Sequence, residues 1–271
     1  MQNSGKVILA GAGPGDIDLI TVKLQKALMK ADVIITDRLV NPLIIDRYKK
    51  EDAQVIEAGK QGYNCLSHSQ EFINYAIVEN ALAGKIVLRL KGGDVAFFSN
   101  VLEELLSLHL RSIPFEIIPG ITAASGASAY AGIPLTGRGY SRTVRFLLYK
   151  NENDYTSNEW LSLAETSDTL VLYMGIKKLP EFLNLLKKYG DVGNKEVAIV
   201  EQATTAYQKV HCFSIKDDPA TWLLPNHQTP GLVIIGAVAT LHKSFNWFKT
   251  ETDQGSIFNE IEIKEQDVIR K

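Results

Sequence analysis

The stretch KIVLRLKGGD, residues 85–94, decides how the rest of this chain is read. Its first part is apolar and β-branched, as in a buried strand, and it closes on two glycines and an acid. Glycine at such a point permits positive φ and a close approach of backbone to a ligand. Asp94 is placed to accept hydrogen bonds from a ligand, or to cap the helix that follows. Taken alone, the segment favours the cap.

The same pattern recurs on both sides. VILAG (7–11), DVIIT (32–36), AQVIEAG (53–59) and PFEIIPG (114–120) are short apolar runs, each ending at glycine or a turn residue. Between them, LITVKLQKALMKA, NPLIIDRYKK, SQEFINYAIVENALAG and VLEELLSLHL space their apolar residues three to four apart, with Ser69 set as a helix cap. Strands alternating with helices predict a parallel sheet covered on both faces. After the glycine-rich GIPLTGRGYSR (132–142) come TVRFLLYK (143–150), TLVLYMG (169–175), EVAIVEQAT (196–204), KVHCFSI (209–215) and GLVIIGAV (231–238). The last four lie closer together, and the step from Thr204 to Lys209 permits a hairpin. A mixed sheet follows, flanked by helices such as KKLPEFLNLLKKYG. The fold class is α/β, with an N-terminal domain over 1–138, a C-terminal domain over 139–248 and a charged tail over 249–271 that is frayed or without structure.

Composition narrows the function classes. With 45% hydrophobic and 22% charged residues over 271 positions, there is material for two cores. A net charge of −2 sets up no basic field for nucleic acid. Cys65 and Cys212 give neither a disulfide framework nor metal spacing, and the histidines form no HxxH pair, so no metal is expected. No apolar run approaches the ~18 residues of a membrane span, and the N-terminal run is too short for a secretion signal. These readings predict a cytoplasmic protein with no membrane partner.

Three further loops stand at strand ends. GAGPGD (11–16) falls short of the dinucleotide fingerprint, because Asp16 occupies its last glycine position and would face a pyrophosphate. Asp37 sits where a ribose-binding acid would stand, yet a tight strand-to-helix turn accounts for the loop as well. PGITAASGASAYAGIPL (119–135) is a run of small residues, suited to close helix packing or to a ligand at a helix start, with Thr122 and Ser125 as caps or donors. VLYMG (171–175) ends on Met174, a core residue or a ligand neighbour. Four glycine-containing loops at strand ends, in two domains, describe a ligand cleft between them.

In order, GAGPGD, DRLV, RLKGGD, PGITAASG, AYAGIPLT, YMG, VEQATT and PGLVIIG resemble the tetrapyrrole methylases over about residues 5–248. PGITAASG with AGIPLT is the most specific part. Within that family the chain is most similar to the branch that C-methylates uroporphyrinogen III. The resemblance implies an S-adenosylmethionine-dependent methyltransferase, a homodimer, and S-adenosylhomocysteine as product. It implies two methylations, at C2 and C7, giving precorrin-2 through precorrin-1 for sirohaem or cobalamin, with separate dehydrogenase and chelatase enzymes downstream. It places cofactor contacts at Pro14, Gly92, Gly93, Asp94, Phe97, Thr122, Ala123, Met174, Ala203 and Gly231. It makes Asp37 of DRLV a base or substrate anchor, against its bland reading as a strand-end cap paired with Arg38. The eight carboxylates of the substrate call for cations: Arg38, Lys60, Arg138 and Arg142, with Arg145 set aside because it falls in a strand.

The chain departs from the family pattern mainly on the substrate side. GGDVAFFSNVLEE stands where GGDPFIFGRGGEE is common, so Asn100 replaces an arginine. GKQGYNC, LTGRGY and YKN (149–151) likewise lack family charges and histidines. Three readings stay open: a divergent uroporphyrinogen-III methylase, a methylase of another tetrapyrrole, or a cofactor-binding member with weak or no catalysis.

Overall fold

The computed structural model describes residues 5–58, 70–218, 229–250 and 255–258. Lys60, Gln61, Cys65, Ser69 and most of the expected tail lie outside the described residues. The chain divides into two compact units. The first comprises 1–12, 20–120 and 257–271, and the second comprises 13–19 and 121–256.

The first unit is a five-stranded parallel sheet in the order β3-β2-β4-β1-β5. Its strands are β1 (Lys6–Gly11), β2 (Val33–Thr36), β3 (Gln54–Glu57), β4 (Ile86–Lys91) and β5 (Phe115–Ile118). The helices are α1 (Val22–Leu28), α2 (Pro42–Tyr48), α3 (Gln70–Leu82) and α4 (Val101–His109). Thr21 and Asn41 cap α1 and α2 through their side chains, and Pro42 opens α2 where its missing N–H is harmless. On one face, Val7, Leu9, Val33, Ile35 and Val87 pack with Ile73 and Ile77 of α3 and Leu108 of α4. Burial on both faces holds for β1, β2 and β4, whereas the edge strands β3 and β5 are largely open. A dinucleotide-binding sheet sets its first strand beside its second. Here β1 lies between β4 and β5, so the topology differs as well as the loop.

The second unit is a mixed five-stranded sheet in the order β6-β7-β10-β8-β9. It contains β6 (Val144–Leu148), β7 (Thr169–Tyr173), β8 (Glu196–Glu201), β9 (Lys209–Ser214) and β10 (Gly231–Gly236). Only β6 and β7 run parallel, and the expected hairpin is β8–β9. One face carries Leu170, Leu172, Val233 and Ile235 against α6 (Ser157–Glu165) and α7 (Leu179–Tyr189), around the fully buried Trp160 and Phe182. The other carries Val171, Tyr173, Ala198 and Ile234 against α5 (Ala123–Ala131) through Ala124, Ala127 and Ala131. Close packing is thus one use of the small-residue run.

The expected boundary at residue 138 falls inside the second unit, because the alanine face of α5 packs on that unit's sheet. The turn 13–19 also groups there: Asp16 N–H donates to Thr204 Oγ1 at 3.0 Å, and Tyr130 Oη donates to Asp16 Oδ2 at 2.7 Å. In the tail, Phe258 is buried, so the segment is not uniformly frayed. Among the described residues, no helix is long and apolar enough to cross a membrane.

Candidate active site

In the first unit the chemistry-bearing residues gather at the carboxyl ends of the strands. The backbones of Gly11, Gly93 and Gly120 interlock there. A Cβ on Gly11 would come within 2.5 Å of the Gly93 carbonyl oxygen, and one on Gly120 within 2.2 Å. Gly93 has φ +68°, a conformation that side chains disfavour, and a Cβ on Gly92 would meet the Leu39 carbonyl at 2.8 Å. Asp94 is buried and ties this turn together. Its Oδ1 accepts from Ala96 N–H and its Oδ2 from Gly120 N–H, both at 2.7 Å. Its observed bonds are therefore to backbone, one across to the end of β5. Phe97 follows, partly exposed, and then Phe98 and Asn100 take positive φ of 52° and 60°. Asn100 precedes α4 without capping it and donates to Glu103 at 3.3 Å.

Asp37 follows β2, and its N–H donates to Leu90 O at 3.2 Å, so it lies against the end of β4. Its Oδ1 accepts from Arg89 Nη2 at 2.5 Å. The carboxylate is partly exposed while the Arg89 side chain is buried. Arg89 Nε also donates to Glu104 Oε1 at 2.9 Å, and Lys91 Nζ reaches the same oxygen at 2.9 Å. Burial disfavours the Arg89 charge, but Asp37 and Glu104 outweigh it and raise the guanidinium above its usual value. The bland reading paired Asp37 with Arg38; the ion pair seen is with Arg89, which strand alternation aims toward α4 and Glu104. Asp37 and Arg38 share a concavity of about 170 Å³ with Thr36, Pro42, Asp46 and Glu57. Arg38 is half-buried, and desolvation lowers its guanidinium below the usual value.

The second unit gathers its own set at one end of its sheet. Met174, just past β7, is exposed with φ 54°, while Gln202 and Thr204, just past β8, have φ 44° and 67°. Side chains rarely hold such backbone, and strain of this kind concentrates at functional sites. Ala203 lies between the latter two. Gly231 begins β10 opposite Glu201, and a Cβ there would strike Ile176 at 2.1 Å. Thr122 stands at the start of α5 but does not cap it. Its hydroxyl instead pairs with Tyr173 Oη at 2.7 Å, which also accepts from Ala124 N–H at 3.1 Å. Ala123 is thereby fixed at the helix start. Pro14 packs on Gly126, where a Cβ would come within 2.5 Å of its ring.

Arg138 is exposed in the turn closed by the Gly137–Ser141 bridge, and Arg142 is exposed just beyond it. Arg145 lies in β6 and pairs with Asp168 at 2.6 Å. Lys60 is outside the described residues. Sequence reasoning missed Tyr173, whose partner Thr122 is 51 positions away, and Glu104, which only α4 brings to Arg89.

A parallel sheet with glycine turns at its carboxyl ends, followed by a mixed sheet with strained turns, defines a two-unit α/β protein outside the dinucleotide-binding order. The chain belongs to the Tetrapyrrole (Corrin/Porphyrin) Methylases, matching that family over residues 6–217. It is 43% identical to the uroporphyrinogen-III C-methyltransferase of Bacillus subtilis over 249 residues, which is 91% of this chain and 96% of that protein. It is 41% identical to the siroheme synthase of Zymomonas mobilis over 92% of this chain and 52% of that one. The chain thus spans about half the length of the siroheme synthases it matches. Among solved structures, uroporphyrin-III-C-methyltransferase from Thermus thermophilus is 30% identical with a TM-score of 0.72, covering 89% of this chain and 96% of that one. A second structure of the Thermus enzyme, complexed with S-adenyl homocysteine, is 27% identical with a TM-score of 0.70 and covers 86% of this chain and 93% of that one.

Proposed function

We propose that this protein C-methylates uroporphyrinogen III from S-adenosylmethionine, twice, to give precorrin-2 through precorrin-1. The observation that carries the reading is at the end of the parallel sheet: Asp37, pinned by a buried arginine, beside a glycine turn that admits no side chain. The two relatives named for this activity support it.

The residue set fits the cofactor. Gly92 and Gly93 in the first unit, and Ala123, Met174, Ala203 and Gly231 in the second, are small or uncharged, so neither set places a like charge against a sulfonium. The Thermus complex supports the choice. When bound, S-adenosylmethionine supplies an activated methyl group, whose bond to sulfur breaks as the new carbon–carbon bond forms. The protein's own task is then alignment and proton removal. Asp94 and Thr122 hold their loops in place, through Gly120 and Tyr173 respectively. Asp37 accepts the proton that leaves the macrocycle after each methyl addition, and Arg89 holds it in position. Arg38, beside Asp37, takes a substrate carboxylate; Arg138, Arg142 and Lys60 supply further charge. We assign the protein to the cytoplasm and to a homodimer, with a dehydrogenase and a chelatase consuming the product.

Purified protein incubated with uroporphyrinogen III and S-adenosylmethionine is expected to yield a dimethylated product by mass spectrometry. Asp37→Asn should lower turnover roughly 10²–10⁴-fold, the range of a lost acid–base group, with S-adenosylhomocysteine affinity retained. Turnover undiminished in that variant removes Asp37 from the chemistry. Cofactor binding without methyl transfer overturns the activity, and product from a different porphyrinogen alone reassigns the substrate.

A further inference from the structure

Glu104 is a charged residue with no route to solvent. Its side chain is fully buried beneath α4, and Oε1 accepts from both Arg89 Nε and Lys91 Nζ at 2.9 Å. Oε2 is buried without a hydrogen-bond partner among the described residues. Arg89 and Lys91 occupy the central strand of a sheet whose other buried positions carry no charge. Taking three charges out of water is costly, and apolar residues of similar volume commonly hold a fold as well. Packing alone therefore does not account for the cluster.

Its geometry gives it a direction. The guanidinium has its Nε on Glu104, its Nη1 near the carbonyls of Ile35 (3.4 Å) and Leu90 (3.3 Å), and its Nη2 on Asp37. Three sides of Arg89 are fixed within the unit, and the fourth presents a donor to the one partly exposed carboxylate. We infer that Glu104 is a positioning residue for Asp37, acting through Arg89, an inference that rests on the reading of Asp37 as the proton acceptor. Other charges facing Asp37 are Arg38 beside it, Asp46 from α2 and Glu57 from β3, with Lys91 behind Glu104.

The test compares kcat and KM of Glu104→Gln, Asp37→Asn and the double variant, using uroporphyrinogen III and S-adenosylmethionine. Glu104→Gln should reduce kcat roughly tenfold, with KM and S-adenosylhomocysteine affinity little changed. The double variant should be no slower than Asp37→Asn, because both act through one carboxylate. A Glu104→Gln protein with parental kcat overturns the inference, as does a double variant in which the two losses multiply. Full turnover in Asp37→Asn is the separate failure of the reading beneath it. If Glu104→Gln does not fold, the charge-balanced pair Glu104→Leu/Lys91→Leu also frees Arg89 Nε and carries the same measurement, and a parental kcat there overturns the inference equally.

Discussion

The strand at the middle of the first sheet, β4, carries Arg89 and Lys91 under α4, while its counterpart in the second, β10, carries Val233 and Ile235 under α6 and α7. Both strands are closed to water. One buries three charges with Glu104, and the other packs against an aromatic cluster in which Trp160 lies 5.4 Å from Phe182 and 5.8 Å from Tyr149. The aromatic arrangement is what stability asks for, since apolar burial is favourable without any partner. The charged one is stable only while every member is present. The contrast teaches that the first sheet gives up cheap burial at the strand end where Asp37 stands.

The sharpest way to break the comparison is to exchange the two chemistries. Trp160→Ala should cost about 3–5 kcal/mol in denaturant unfolding, the usual range for a buried aromatic. It also removes the indole donor to the Glu152 carbonyl. The triple variant Arg89→Met/Lys91→Met/Glu104→Leu should instead remain folded, within about 2 kcal/mol of the parent in either direction, and lose methyl transfer. A triple variant that unfolds would show that the charges hold the sheet, and the contrast would fail. Tyr173→Phe removes a hydroxyl that meets both Thr122 and Ala124, and should cost about 1 kcal/mol, with weaker S-adenosylhomocysteine binding by calorimetry. Unchanged affinity would separate the start of α5 from the cofactor.

The smallest effect belongs to the exposed rim of the first unit. Hydrogen bonds from Lys23 and Lys6 hold Glu116 down at about 2, below its ordinary 4.5. A depressed carboxylate adds stability above its unfolded value and loses it as pH falls through the folded one. Glu116→Gln should therefore flatten the fall of Tm between about pH 4.5 and 2, and salt should erase the difference. A parental acid limb in that variant would mean that this surface pairing contributes nothing.

Much of the fold was legible because its strands are short apolar runs ending at turn residues. All ten observed strands coincide with expected ones, and the β8–β9 hairpin follows from its short connection. The boundary was not legible, since the alanines of α5 state that something packs closely but not which sheet. Helix α6 was passed over because SNEWLSLAE is polar, although Thr156 and Glu159 form a capping box that marks its start. At the candidate site, the glycine turn, Asp94 and Asp37 are singled out by the resemblance to the family, since residue type and spacing alone favour caps. What each one touches could not: Asp94 bonds to Gly120, 26 positions on, and Asp37 to Arg89, 52 positions on.

By itself, then, the amino-acid sequence determined the two α/β units and which loops end the strands, because these depend on local periodicity and residue type, and it pointed to the family through the order of its motifs. Only the tertiary structure decided the partners of the charges. Strand register sets Ile35 beside Arg89, and the approach of α4 carries Glu104 over the same face. A buried charge is held by whatever opposite charge the fold brings within about 3 Å, and that distance exists only after the sheet has formed.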